Sequence, residues 1–223
     1  MERRGLGRCG GRNRNSDLTM GLTINRRRVM GGKRLPYDAE VEYLEGSGTQ
    51  WIDTGIVPNR DDVVMIVDAQ KVQSVNDTIC FGMKPYNQND FAINLYGSVK
   101  LYWWYGGRSG NVAINVTERH LYEIGNSIRI DSTKIQDVTI SKTFVGNSSK
   151  LTLFGMGNQS VPTGVNYPFY GRIFSSIIRY GNDVILDFIP VRIGQLGYMY
   201  DKVSGQLFGN AGTGDFIVGP DKN

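Results

Sequence analysis

The sequence predicts an all-β domain, a sandwich or a barrel of many short strands. Three observations carry this. Short runs of β-branched and aromatic residues alternate with turn-forming residues along most of the chain. Its 223 residues include 29 Gly, and Phe, Trp and Tyr together make 11%, the mixture expected where tight turns join strands. No segment keeps a 3.6-residue apolar period with helix caps, so at most one or two short helical turns are expected.

Taken in order, Val41-Glu42-Tyr43-Leu44 reads as a strand, Gly46-Ser47-Gly48 as a turn and Gln50 to Thr54 as a second strand. Val63 to Gln70 is apolar at nearly every position, as in a strand buried on both faces or inside a sandwich. Ile79 to Met83 follows, then Phe91 to Tyr96 and Lys100 to Tyr105 flanking Gly97-Ser98, a hairpin signal. Leu121 to Ile124 and Ile128 to Asp131 flank Gly125-Asn126-Ser127, and Leu151 to Phe154 leads into an expected loop, Gly155 to Pro168. The clearest hairpin runs out along Ile173 to Tyr180, turns at Gly181-Asn182-Asp183 and returns along Val184 to Ile189, and a last small one spans Gly197 to Phe208. No internal repeat of fixed period is seen.

The net charge of +4 hides an asymmetry: residues 1–34 carry ten Lys/Arg against Glu2 and Asp17, and the remainder is net −4. Residues 1–34 hold too few apolar groups to offset chain entropy, so they are read as a basic arm, disordered when isolated, ahead of one domain over 35–223. Met20 is a second candidate start. Cys9 and Cys80 are read as free thiols, because a pair would tie the arm to the core. No apolar run is long enough for a membrane span, and Arg26-Arg27-Arg28 is not followed by the apolar stretch of a secretory leader.

Three blocks of residues narrow the fold. Glu42-Tyr43-Leu44-Glu45-Gly46-Ser47-Gly48-Thr49-Gln50-Trp51-Ile52-Asp53-Thr54-Gly55 resembles the opening strand pair of a concanavalin A-like, laminin-G-like jelly-roll module. Asp187-Phe188-Ile189-Pro190-Val191-Arg192 resembles its late core strand, and Gly197 to Asp201 with Leu207 to Phe216 resembles its closing segment. The resemblance covers residues 37 to 219 and implies two antiparallel sheets with loops at the rim. Modules of this type occur in bacteriophage virion proteins and in surface proteins of Bacteroides-like bacteria; some bind glycans, some bind proteins and some cleave β-glucans. Function must therefore be argued from a site.

The acidic pattern of a glucanase is missing. Retaining hydrolysis needs two converging carboxyl groups, whereas Asp61 and Asp62 are adjacent and so point to opposite faces of a strand, Glu40 and Glu42 sit at the domain entrance, and Asp187 has no second acid nearby. His120 is the only histidine and is expected to be solvated; with two distant cysteines it offers no zinc spacing. No cofactor is expected. Calcium is not favoured: Asn87, Asn89, Asp90, Asn210 and Asp215 could supply oxygens, but these residue types also form turns. The Asn-x-Ser/Thr sequons at Asn76, Asn115, Asn147 and Asn158 are given no role.

The best binding candidate is Tyr102-Trp103-Trp104-Tyr105-Gly106-Gly107-Arg108. A strand there sends Trp103 and Tyr105 to one face and Tyr102 and Trp104 to the other, and one pair must be core. Trp103, Trp104, Tyr105, Arg108 and Tyr86 are the candidate ligand-binding residues, since exposed rings suit sugar faces or a protein partner. Arg26, Arg27, Arg28, Lys33 and Arg34 could contact nucleic acid through phosphates, but without interleaved aromatics they are read as an anchoring arm. The expectation is a non-enzymatic, lectin-like module of a virion or cell surface, with glycan or assembly proteins as partners and no membrane span. A bacterial surface adhesion module and a diverged glycoside hydrolase are the alternatives.

Overall fold

The computed structural model describes residues 29–30, 33–85, 90–158 and 161–223. Arg26, Arg27, Arg28, Tyr86, Asn87 and Asn89, with Cys9 and Met20, lie outside them. Among the described residues there is no helix. In the arm, Val29–Met30 and Lys33–Arg34 pair as a short antiparallel ladder. The rest is an all-β sandwich of two sheets, antiparallel but for one strand pair.

The larger sheet has eleven strands. Its main path runs Thr133–Asp137, Ser127–Ile130, His120–Ile124, Val63–Lys71, Tyr170–Tyr180, Asp183–Ile193, Leu196–Asp201 and Leu207–Phe208. The smaller sheet runs Arg108–Ala113, Lys100–Tyr105, Phe91–Tyr96, Ile79–Lys84, Thr152–Leu153 and Ile52–Asp53. Val63–Lys71 is the central strand of the larger sheet, flanked by His120–Ile124 and Tyr170–Tyr180. It alternates: Val63, Met65, Val67 and Ala69 are fully buried, while Ile66, Asp68 and Gln70 between them are half-buried on the outer face.

Two local expectations are corrected. Val41 to Leu44 is not one strand; Ala39–Glu40 and Leu44–Ser47 are separate. Between them the chain-end segment takes the backbone groups, with Glu42 N–H donating to Pro220 C=O and Gly219 N–H to Tyr43 C=O. Gly155 to Pro168 is not a loop but contains the hairpin Met156–Asn158 and Val161–Asn166. Phe154, in the left-handed region at φ +64°, reverses the chain where Thr152–Leu153 stops pairing with Ile79–Lys84. Gly157 and Asn158 then continue along that same edge in parallel, opposite Met83 and Lys84.

The core lies between the sheets. Phe81, Phe91, Trp103 and Tyr105 from the smaller sheet meet Met65, Val67, Tyr122, Ile178 and Phe188 from the larger in one apolar cluster. Gly110 stands opposite Trp103, and a Cβ there would lie 2.6 Å from the indole, so glycine makes room for the ring. Tyr105 crosses the core and its hydroxyl donates to the Val63 carbonyl at 2.8 Å, with the Asp61 carbonyl at 3.0 Å. That bond ties one sheet to the other. Tyr105→Phe should lower stability by about 1–2 kcal/mol through the lost buried bond, read as a lower urea midpoint with an unchanged slope.

A second tie is ionic. Lys71 ends the central strand facing inward, and its ammonium donates to the carbonyls of Val75 and Leu95. Burial pulls its pKa down to about 8, against the opposing pull of Asp77. Because the folded value lies below that of the unfolded chain, unfolding takes up a proton above pH 8, and this group makes the fold more stable as pH rises from about 8 towards 10. Lys71→Met removes the titration. The stability gap between the two proteins in urea should therefore shift in favour of the wild type over that range; a constant gap would contradict the assignment.

Candidate functional site

The candidate site lies on the outer face of the smaller sheet, and strand register builds it. Phe91 to Tyr96 and Lys100 to Tyr105 form a hairpin that puts Ala92 opposite Trp104, Asn94 opposite Tyr102 and Tyr96 opposite Lys100. Gly82 extends the first row beyond Ala92, and Ser109 and Asn111 extend both rows on the other side. The row Gly82, Ala92, Trp104, Ser109 is small everywhere except at the indole. It is tight as well, since a Cβ on Gly82 would come within 2.6 Å of Ala92 Cβ. Trp104 therefore packs half-buried on Ala92, Ile79 and Met156.

The alternation decides which rings can meet a ligand. Trp103 is 2% exposed and Tyr105 0%. Both face the larger sheet, so their candidacy as ligand-binding residues is corrected: core packing covers them. Tyr102 and Trp104 are half-buried on the outer face. Their ring planes differ by 24° with centroids 6.2 Å apart, and Tyr96 meets Tyr102 edge-on at 5.6 Å. Lys100 Nζ lies 5.6 Å from the Tyr102 ring centre. The two rings thus stack as one aromatic pair on this face.

Polar groups converge beside it. A cleft of ≈ 360 Å³ is lined by Lys84, Asp90, Trp104, Gly107, Arg108, Ser109 and Lys142. A smaller one of ≈ 170 Å³ shares Lys84, Asp90 and Trp104 and adds Asp77, Asn94 and Tyr167. Asn94 is 4% exposed and its Nδ2 donates to Asp77 Oδ1 at 3.0 Å. Asn94 Oδ1 and Asp90 Oδ1 are buried with no hydrogen-bond partner among the described residues. Burial raises the Asp90 carboxyl above the ordinary carboxylate range, although the charges of Lys84 and Lys142 oppose it. A buried acceptor without a donor costs about 1–3 kcal/mol, and both residues line the smaller cleft.

Arg108 is placed by a two-residue turn. Gly106 and Gly107 have φ of +55° and +74°, the doubly left-handed pattern of a hairpin that matches strand twist. A distant loop clamps the turn: Ser141 and Lys142 N–H both donate to Gly106 C=O, and Arg108 Nε donates to Thr139 C=O at 3.2 Å. The clamp brings Lys142 to the cleft beside Arg108.

Other candidates are occupied by structural work. His120 Nδ1 lies 2.7 Å from Asp131 Oδ2 and its Nε2 3.1 Å from the Asn115 carbonyl, which closes the turn between two strands. Asp61 accepts from Thr143 Oγ1 and Phe144 N–H. Asp62 pairs with Arg60, and Asp187 with Lys202 at 2.7 Å. Asn210 Oδ1 accepts from the Trp51 and Gly212 N–H groups, organising the closing loop. Cys80 is buried and free, and burial pushes its thiol up. Among the described residues, no three His, Cys, Asp or Glu side chains are grouped to hold a metal.

No protein-family model matches the chain, and no curated protein matches it in sequence. Solved structures do match. A suspected carbohydrate-binding protein of Bacteroides ovatus superposes with a TM-score of 0.55 at 8% identity, over 83% of this chain and 61% of that one. The chain shares the fold of that protein, a two-sheet antiparallel jelly-roll sandwich. Domains LG4–5 of the mouse laminin α1 chain align with a TM-score of 0.47 at 12% identity, over 72% of this chain and 47% of that one. This chain therefore spans less than two thirds of the length of either.

The two neighbouring tryptophans should separate cleanly in stability measurements. Trp103→Ala should cost about 3–5 kcal/mol, as large core truncations do. Trp104→Ala should cost about 1–2 kcal/mol, since only part of its surface is removed from water. Equal losses in urea unfolding would contradict the assigned faces.

Proposed function

We propose that this chain is a non-enzymatic carbohydrate-binding module that lays sugar rings against Tyr102 and Trp104. The observation that carries the reading is the near-parallel pair of rings on an outer sheet face beside the buried, unpartnered oxygens of Asn94 and Asp90. A pyranose offers one apolar C–H face and a rim of hydroxyl donors. The first suits an aromatic surface, and the second supplies what the two oxygens lack. The similarity to the Bacteroides ovatus protein is consistent with this reading and supports it through the fold alone.

The acidic residues support the non-enzymatic half. Hydrolysis by a carboxyl pair needs one acid held protonated and another free to attack or activate water. Asp61, Asp62 and Asp187 are each tied to a donor or a cation away from the Trp104 clefts. Asp77 and Asp90 share the smaller cleft, where Asp77 already accepts from Asn94 Nδ2, and the sugar-release measurement tests that pair. Placement on a virion or bacterial surface rests on the sequence resemblance. An anchoring role for Arg26, Arg27, Arg28, Lys33 and Arg34 rests on the charge of residues 1–34. Contact of that arm with nucleic acid is the less favoured reading.

Glycan-array binding of the full chain tests the module. The wild type should retain a defined set of polysaccharides and release no reducing sugar from them. Trp104→Ala and Tyr102→Ala should each weaken binding at least tenfold while thermal unfolding stays cooperative. Undiminished binding by both variants would refute the site, and sugar release would refute the non-enzymatic reading.

A further inference from the structure

The larger cleft beside Trp104 is basic, in a domain that is otherwise acidic. Residues beyond 34 carry fifteen Lys/Arg against nineteen Asp/Glu, yet among the described residues three cations line this cleft with Asp90 as the only carboxylate. Many acidic side chains elsewhere are held by cations of their own, such as Arg119 on Asp68, Lys150 on Asp53, Arg172 on Glu45 and Arg192 on Asp221. Among the described residues, no carboxylate lies within ion-pair distance of Lys84 or Arg108. The cations come from three separate parts of the chain. Lys84 ends the Ile79–Lys84 strand, Arg108 follows the Gly106-Gly107 turn, and Lys142 stands on the loop clamped to that turn. Among the described residues Arg108 spends only its Nε on the fold, donating to Thr139, which leaves the terminal nitrogens of its fork for a planar anion.

Resting on the carbohydrate reading above, we infer that the sugar taken by this cleft is acidic: a hexuronate unit whose ring lies against Trp104 and whose carboxylate sits among Lys84, Arg108 and Lys142. One residue of such a polymer presents both an apolar ring face and an anion, and the cleft has the indole and the cations on adjoining walls. Asp90 opposes an anion least when it is protonated, and its burial moves it in that direction. Its oxygen then takes or gives a hydrogen bond to a ring hydroxyl. A neutral polymer would leave Lys84 and Arg108, which have no described carboxylate in ion-pair reach, without the counter-charge that a hexuronate brings.

The test measures full-chain affinity for polygalacturonate and alginate, for their methyl-esterified forms, and for dextran and dextran sulfate. The hexuronate polymers should bind at least tenfold more tightly than their esters, and 0.5 M NaCl should narrow that gap, as screening requires. Arg108→Glu, on an exposed residue, and Lys84→Gln should each remove most of the preference for acid over ester. Trp104→Ala should weaken every retained sugar. If acid and ester bind alike through Trp104, or if the Arg108 and Lys84 variants keep the preference, the acidic-sugar inference falls and the carbohydrate reading stands. If dextran sulfate binds as well as the hexuronates and Trp104→Ala has no effect, the cleft is a general polyanion patch and the inference falls. If no sugar, acidic or neutral, is retained, both fall.

Discussion

The constraint on which the structure depends is the burial of two facing sheets against one shared core. A strand has only two faces, so filling the space between the sheets commits every second residue to the inside and hands the rest to the outer surface. In Lys100–Tyr105 this puts Leu101, Trp103 and Tyr105 in the core and Lys100, Tyr102 and Trp104 outside. A slip of one residue would bury Lys100 and expose three large apolar side chains. The register that stabilises the fold therefore also creates the aromatic surface, and the two cannot be altered independently at this strand.

The surface becomes a site because of what stands beside the rings. Gly82 and Ala92 keep the row beside Trp104 small on one side, and Ser109 keeps it small on the other. Asn94, set opposite Tyr102 by the hairpin, is held by Asp77 with its oxygen directed to no partner. The loop through Thr139 to Lys142 then locks the Gly106-Gly107 turn and carries a lysine to the cleft edge. Pre-organised polar groups next to a rigid aromatic face reduce the ordering cost of binding.

Electrostatics divides the domain in the same way. Most acidic side chains serve as staples: Asp61 on the Thr143-Phe144 backbone, Asp131 on His120 and Leu121, Asp201 on the turn at Val203-Ser204. Burial would raise the Asp201 carboxyl, but hydrogen bonds from Ser204, Asp187 and Val203 outweigh it and hold it below the ordinary range. Carboxylates so committed contribute stability rather than acid–base chemistry. The basic cleft is the exception: among the described residues no acid staples Lys84 or Arg108.

Much of the fold was legible in the sequence because alternation and turn chemistry are local. The hairpin read over Gly171 to Pro190, the Gly97-Ser98 turn and the central strand from Val63 all follow from nearest neighbours. The strands Arg108–Ala113 and Val161–Asn166 were less legible. The first is polar and rich in small residues, marked only by the Gly-Gly pair before it, and the second pairs with Met156–Asn158, a strand set in place by the distant edge of Ile79–Lys84. Within the site, the sequence alone determined that Tyr102 shares a face with Trp104 and Trp103 with Tyr105, because pleating has a period of two. Which face was core could not follow from either pair, since all four rings are apolar and large; it was decided by the larger sheet closing over Trp103 and Tyr105. Only that closure, and the long-range clamp on Gly106, brought Lys84, Arg108 and Lys142 to one cleft.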